Sequence, residues 1–330
     1  MPTQPTRNAG ARPLAACACS LLAAMAAAPA AAQTYPSRPI RIIVTFVPGG
    51  GADIVGRYMA QALTQALGQP VIVENKPGAG GLLGVDAGLA APADGYTFTL
   101  ISSSYTVNPS LYKLKYDPVR DITPVAQVSA GPLLVVTHPD SGLRSMADVA
   151  AAAKARPGQV SYASSGQGSA LHLAAAQFAS RAGVQMNHIP YKGGGAALND
   201  VLGRQVDVYF AATASALPQV KVGKLRALAV TMPWRLGALP DVPTIAESGY
   251  PGYDVTLWYG LIGPKGLPPA IVQRINTEVN KVLALPATPE KFQADGAEPA
   301  GGTPQAFHDL IARETAHWRE VVGQLGVKPE

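Results

Sequence analysis

Short apolar strands alternate with amphipathic helices along nearly the whole chain after its first 32 residues. A clear strand pattern is IRIIVTF, residues 40–46. A clear helix pattern is TPQAFHDLIARETAHWREVVGQLG, residues 303–326, with Thr303 as its N-cap and Pro304 at its first position. Strands that are separated by helices favour parallel sheets covered by helices on both faces. The alternation therefore predicts an α/β fold with doubly wound sheets.

Two distant segments share the order strand, glycine-rich turn, helix. They are VTFVPGGGADIVGRYMAQ, residues 44–61, and VSYASSGQGSALHLAAAQ, residues 160–177. A turn of this kind presents the unpaired N–H groups of a helix N-terminus, which bind anions. Ligands of doubly wound sheets bind outside the carboxyl ends of the strands. Two sheets that face each other would bring both turns into one cleft, so we expect two lobes that close on a ligand.

The chain begins with the pattern of a secretory signal peptide, residues 1–32. A basic segment precedes the apolar stretch LAACACSLLAAMAAAPA, and small residues allow cleavage near Ala32/Gln33. The sequence LAAC at residues 14–17 also matches a lipoprotein box. Most of the apolar run follows Cys17, however, so a signal peptide without lipidation is the favoured interpretation. Both cysteines, Cys17 and Cys19, lie in this segment, so the mature chain has no disulfide, thiol nucleophile or cysteine metal site.

The charge pattern excludes two classes of partner. The net charge is +5, and acidic and basic residues are interspersed along the chain. We find no run of Lys and Arg that would indicate nucleic acid, and no basic helix that would indicate a membrane surface.

The glycine turns fit a carboxylate better than a nucleotide. The third glycine of a dinucleotide fingerprint is replaced by Ile54 in the first turn and by Leu171 in the second. Gly51 is followed by Ala-Asp rather than by the Lys-Ser/Thr of a P-loop. Neither turn contains Lys or Arg. An anion would therefore be bound by backbone N–H groups and by the helix dipole, which places about half a positive elementary charge at each helix N-terminus. The alternative is that the glycines serve only tight turns and close packing.

An exported serine hydrolase acting on a small ester or amide is the competing class. Its nucleophile would be Ser165 or Ser169, but Tyr162 stands where the nucleophile elbow G-x-S-x-G requires its first glycine. The histidines show no metal-binding spacing. His172, one turn into the second helix, is expected either to orient that turn or to approach a ligand. We therefore expect no enzyme, no metal and no cofactor.

The chain resembles the periplasmic solute-binding receptors of tripartite tricarboxylate transporters, also called TctC-like or Bug-type receptors. The resemblance covers essentially the whole mature chain. It rests on the segments YPSRPIRIIVTFVPGGGADIVGR, VENKPGAGGLLG, VNPSLY, ASSGQGSALHL, IPYKGGGAALNDVLGRQVD, DVPTIAESG and WYGLIGPKGLP, in this order.

This resemblance implies a type II periplasmic-binding-protein fold with two lobes around a ligand cleft. Lobe 1 is expected to be discontinuous, residues 36–133 plus 255–330, with lobe 2 at residues 134–254. It also implies a periplasmic protein, expected as a monomer, that delivers a small carboxylated ligand to integral-membrane transporter subunits.

In such receptors two loops grip one carboxylate through backbone groups and bridging waters. On this chain the loops are Pro48 to Asp53 and Ser164 to His172. Further candidates follow the strand YTFTLI and lie in the motif PYKGGG. The predicted ligand-binding residues are Phe46, Pro48, Gly49, Gly50, Gly51, Ala52, Asp53, Ser103, Ser104, Ser164, Ser165, Gly168, Ser169, His172 and Tyr191.

One departure from the family pattern bears on the ligand. Many members carry Asp after the strand VDVYF, whereas this chain has Ala211-Ala212-Thr213. An acid there would pair with the ammonium group of an amino acid, so its absence favours a dicarboxylate, a tricarboxylate or an aromatic acid. Trp258 and Tyr259 would either stack on an aromatic ligand or pack in the core.

Overall fold

The computed structural model describes residues 1–4, 35–294 and 297–325. The predicted signal peptide therefore lies outside the described residues except for its first four. The chain divides into two units, Met1–Ser37 and Arg38–Glu330, and the fold described below is that of the second unit. Within the described ranges, no helix combines the length and the apolar character that crossing a membrane requires.

The second unit is built from strands and helices that alternate as expected. The strands are β1 Ile40–Val44, β2 Val71–Asn75, β3 Thr97–Ser102, β4 Ile122–Thr137, β5 Ser161–Ser164, β6 Asn187–Pro190, β7 Val208–Ala212, β8 Arg226–Val230, β9 Thr256–Pro264 and β10 Glu298–Gly301. The helices are α1 Gly51–Leu67, α2 Leu82–Leu89, α3 Ser104–Leu111, α4 Met146–Ala155, α5 Ala170–Ala182, α6 Gly194–Leu202, α7 Thr213–Lys221, α8 Pro269–Leu283, α9 Ala287–Ala294 and α10 Pro304–Leu325.

The sheets are mixed rather than purely parallel. The strand order is β2-β1-β3-β9-β4-β7-β5-β6, with β8 and β10 also paired to β4. The pairs β1–β2, β1–β3, β5–β6 and β5–β7 are parallel, whereas every partner of β4 is antiparallel to it. The alternation of strands and helices did not predict the antiparallel pairs. Parallel strands need a crossover connection, usually a helix, whereas an irregular segment joins β8 to β9.

The long strand β4 passes from one sheet into the other. Its first part pairs with β9 as far as Pro132, opposite Thr256. From Leu133 onward it pairs instead with β7 and, one residue later, with β8. The chain crosses back where the N–H of Val255 donates to the carbonyl of Thr231 at 3.0 Å. Strands β1 to β3, joined to β4 through β9, therefore belong to the sheet at the first part of β4, and β5 to β8 belong to the sheet at its second part.

The C-terminal helices return to the side of β1 to β3. Helix α8 packs against α1 and β4, and α10 packs against α3 and β4. The ring of Phe307 on α10 meets the edge of Trp258 on β9 at a centroid distance of 5.6 Å, within a buried apolar cluster. This packing fixes the positions of β3 and β9, which contribute residues to the site described next.

Candidate functional site

A cavity with about 310 Å³ of empty space, open solvent at its mouth included, lies at the carboxyl ends of β1, β3, β5 and β7. Five helices, α1, α3, α5, α6 and α7, begin at its wall. This is the position at which open α/β sheets bind ligands. The lining residues are Phe46, Gly50, Gly51, Ala52, Ser102, Ser104, Ser165, Leu171, Gly194, Ala212, Leu257 and Tyr259.

The electrostatics of this cavity come from the backbone. None of the described residues that line it has a charged side chain. Helices α1, α3, α6 and α7 have no side-chain hydrogen bond at their N-caps, which leaves first-turn N–H groups for another acceptor. Each helix end also contributes about half a positive elementary charge. The cavity is therefore suited to an anion that needs no cationic side chain.

Two pairs of glycine turns meet backbone to backbone around the cavity. The first predicted turn lies against the run Gly193-Gly194-Gly195, where a Cβ on Gly195 would lie 2.8 Å from the carbonyl oxygen of Pro48. The second predicted turn lies against residues 78–81, where a Cβ on Gly80 would lie 2.8 Å from the carbonyl oxygen of Gln167. Side chains at these glycines would force the turns apart.

Within the first turn, Phe46, Gly50, Gly51 and Ala52 line the cavity, whereas Pro48, Gly49 and Asp53 do not. The Oδ2 atom of Asp53 accepts hydrogen bonds from the N–H of Gly49 at 3.0 Å and from Arg57 at 2.9 Å, and its Oδ1 accepts one from Asn75 at 2.9 Å. Burial raises the pKa of this carboxyl, but these hydrogen bonds outweigh burial and the net pKa is lowered. Asp53 therefore holds the turn in shape.

Within the second turn, Ser165 lines the cavity and Ser164 lies behind it. The hydroxyl of Ser164 is fully buried and hydrogen-bonded to Nε2 of His188 at 2.7 Å. It also accepts the N–H of Gly166 at 3.1 Å. Ser164 thus connects the turn to β6 instead of facing the cavity.

The remaining predicted residues of the second turn support its backbone. The ring of His172 accepts the N–H of Gly168 through Nδ1 at 3.1 Å, so the sequence-based expectation that His172 orients the turn matches the geometry. The hydroxyl of Ser169 accepts the N–H of His172 at 3.2 Å as the N-cap of α5. The His172 ring stacks on His188 at 3.9 Å. Burial, with a contribution from His188, lowers the pKa of His172 to about 3.

The three other candidates have different positions. Ser104 lines the cavity, and its hydroxyl accepts the N–H of Ala170 at 3.0 Å, so that it joins α3 to α5. Ser103 is fully buried outside the cavity lining. Tyr191 donates to Asp200 at 2.6 Å, and burial together with this bond raises the pKa of Tyr191 to about 12. It lines a neighbouring cavity rather than this one.

The sequence did not single out Tyr259 as a donor. Its side chain is 7% exposed and lines the cavity, and its hydroxyl has no hydrogen-bond partner within the described part of the chain. A Cβ on Gly51 would lie only 2.6 Å from this hydroxyl, which places the phenol at the N-terminus of α1. Ser102, Leu171, Gly194, Ala212 and Leu257 were also missed. Gly194 could have been predicted from the sequence, because it belongs to a run of three glycines at the start of a helix.

Neither proposed hydrolase nucleophile has a base. Among the hydrogen bonds of the described residues, no histidine ring reaches Ser165, and Ser169 contacts only the main-chain N–H of His172. The Ser164–His188 pair has a suitable distance, but Ser164 is buried and neither residue lines the cavity. The site therefore offers donors for binding and no nucleophile–base pair for hydrolysis.

Comparison with known sequences gives a consistent family. Residues 55–327 match the family model described as tripartite tricarboxylate transporter family receptor. The chain is 42% identical to Protein BugT of Bordetella pertussis over 305 residues, which is 92% of this chain and 94% of BugT.

Comparison with solved structures gives the same fold. An R. palustris protein solved with adipate superposes with a TM-score of 0.87 at 33% identity, covering 90% of this chain and 100% of that one. MatC from Rhodopseudomonas palustris with bound malate superposes with a TM-score of 0.84 at 29% identity, covering 87% of this chain and 100% of that one.

The stacked histidines predict acid sensitivity. The pKa of His172 is about 3 in the folded state and near 6.5 in the unfolded state, so the unfolded chain binds the extra proton. The stabilising contribution is fully present above about pH 6.5 and is lost as the pH falls toward 3, by at most about 1.4 kcal/mol per pH unit. Urea unfolding between pH 7 and 5 should show a shallower loss of stability in His172→Gln than in the wild type.

The control is His317→Gln, because His317 lies exposed on α10. Its pH dependence should match that of the wild type. An unchanged slope in His172→Gln would contradict the assignment of a neutral His172 in the folded protein.

Proposed function

The chain belongs to the tripartite tricarboxylate transporter receptor family, and from this we propose that it is an exported receptor for a small carboxylate that serves a membrane transporter. The family and its relatives are solute-binding receptors and not enzymes. The observation that carries the proposal is the convergence of five helix N-termini on one cavity without charged side chains.

The hydroxyl groups at the cavity complement the helix ends. Ser104 Oγ accepts the N–H of Ala170, and Ser102 Oγ accepts the N–H of Ser104 at 3.3 Å, so both hydroxyl hydrogens can point to a ligand. Ser165 and Tyr259 add two further hydroxyls. A carboxylate has two oxygens with about four acceptor positions, which this set of donors can fill. Adipate and malate, found in the two R. palustris relatives, have the chemistry that such a site would bind.

Capture would proceed by closure of two lobes. We place lobe 1 at residues 36–133 plus 255–330 and lobe 2 at residues 134–254, because β4 changes partners at Pro132–Leu133 and the chain returns at Thr231–Val255. The cavity has walls from both parts, so a ligand would favour the closed arrangement by contacts made to each.

Export and delivery complete the proposal. Residues 1–32 would direct the chain to the periplasm and be removed near Ala32/Gln33. The mature monomer would then present its closed form to integral-membrane subunits. No cofactor or metal takes part in this cycle.

The first test of this function is ligand-dependent stability. A dicarboxylate such as adipate or malate should raise the free energy of unfolding, by about 2.7 kcal/mol at a hundred times its Kd. The matching diamide should give no stabilisation, because it lacks the negative charge that the helix ends favour. Scanning calorimetry with a carboxylate panel, its amides, sugars and cationic amines would measure this. Stabilisation by sugars or amines but by no carboxylate would overturn the proposal.

The second test removes one donor from the cavity. Tyr259→Phe deletes only the hydroxyl at the N-terminus of α1, so affinity for the bound carboxylate should fall about tenfold or more. The matched control is Tyr253→Phe, whose buried hydroxyl donates to the carbonyl of Ala174 at 2.7 Å. That variant should lose stability and keep its affinity in titration calorimetry. Equal affinities of Tyr259→Phe and wild type would exclude this hydroxyl as a ligand contact.

A further inference from the structure

We infer that a second cavity beside the first binds the distal carboxylate of a dicarboxylate ligand, and that Lys192 recognises it. This inference rests on the proposed function, since the first carboxylate must be anchored at the helix N-termini. It narrows the ligand class to dianions and names the side chain that recognises the carboxylate lying away from the helix N-termini.

The second cavity adjoins the first. It has about 690 Å³ of empty space, open solvent included, and is lined by the glycine turns 78–80 and 165–167, by Tyr112 and by residues 190–192. Ser165 lines both cavities. Since Ser165 borders both cavities, the inferred ligand passes this residue, with one end at the helix N-termini and the other in the second cavity.

The spacing of lining residues along the chain sets an upper limit on the distance between the two cavities at this point. Gly194 lines the first cavity and Lys192, two residues earlier, lines the second. Two residues of fully extended chain span at most about 7 Å. The lysine stem can bring its ammonium group to the far end of a ligand of malate or adipate size.

Lys192 is the one charged side chain among the described residues that line either cavity. It forms none of the ion pairs found in the described part of the chain. The neighbouring Tyr191 has its hydroxyl committed to Asp200. At the far end of the ligand, Lys192 therefore supplies an uncommitted positive charge that attracts a second carboxylate and repels an ammonium group.

The effect on affinity should be moderate and sensitive to salt. Lys192 is exposed, so its pairing with a carboxylate is screened by solvent and ions. We expect Lys192→Met to weaken dicarboxylate binding about tenfold at low ionic strength, and less at high ionic strength. Binding of a monocarboxylate, which places no charge in the second cavity, should be unchanged.

Matched ligand pairs test this directly by titration calorimetry on the purified protein. The pairs are succinate with butyrate, adipate with hexanoate, and terephthalate with benzoate. For the ligand pair that fits the site, wild type should bind the dicarboxylate more tightly than the monocarboxylate. Lys192→Met should lose this difference in affinity. Lys192→Arg should keep most of it because it keeps the charge. Lys154→Met removes an equally exposed lysine on α4 that lines neither cavity, and should behave as wild type.

The possible outcomes distinguish a failure of the Lys192 inference from a failure of the proposed function. A dianion preference that persists in Lys192→Met, or an equal loss for both members of a pair, overturns the role of Lys192. Wild-type binding of monocarboxylates without any dianion preference also overturns it but leaves the carboxylate receptor intact. If wild type binds no member of any pair, the proposed function itself fails and the inference with it.

Discussion

Backbone N–H groups at helix N-termini, assembled where several strands end, are the interaction on which this structure depends. Each strand that stops at the cavity is followed by a helix that begins there, so the fold delivers donors to one place without a charged side chain. Fixed peptide dipoles favour an anion, and water can hydrogen-bond to their N–H groups while the site is empty. A buried lysine or arginine in the same place would have required compensation for its desolvation.

Close approach of main chain to main chain is the second constraint. The Gly193–Gly195 run lies against the first turn, and the segment around Gly80 lies against the second, so donors from different parts of the chain face one small cavity. A Cβ at either contact would separate the turns and open the site. The four glycine-rich segments are therefore explained in two pairs, each joining a turn of the sheet that contains β1 to β3 with a turn of the sheet that contains β5 to β8.

The sequence predicted the α/β alternation and part of the site, for identifiable reasons. Glycine before a helix is a strong local signal, and it located Gly50, Gly51 and Ser165 at the cavity. The same signal could not separate lining residues from supporting ones such as Asp53, because the difference lies in hydrogen bonds to distant groups. A strand aromatic such as Tyr259 looks like core in sequence until a neighbouring turn is placed beside its hydroxyl.

Two further features depended on tertiary pairing. Ala212 has no polar group, so its own chemistry did not mark it and only the departure from the family pattern at residues 211–213 pointed to this position; it reaches the cavity because β7 pairs with β4 and β5. The mixed sheets follow from the antiparallel pairing of β4, with β9 and β10 along its first part and with β7 and β8 along its second, which no local pattern encodes. Helix and strand periodicity is local, whereas strand order is set by which apolar faces are buried together.

A crystal structure of the protein with a bound dicarboxylate would show directly which groups hold the ligand. We expect one carboxylate within hydrogen-bond distance of the first-turn N–H groups of α1 and of the Tyr259 hydroxyl, with no Lys or Arg side chain on it. A carboxylate held there by an arginine or lysine, or a ligand bound outside this cavity, would show that helix N-termini are not what binds the anion.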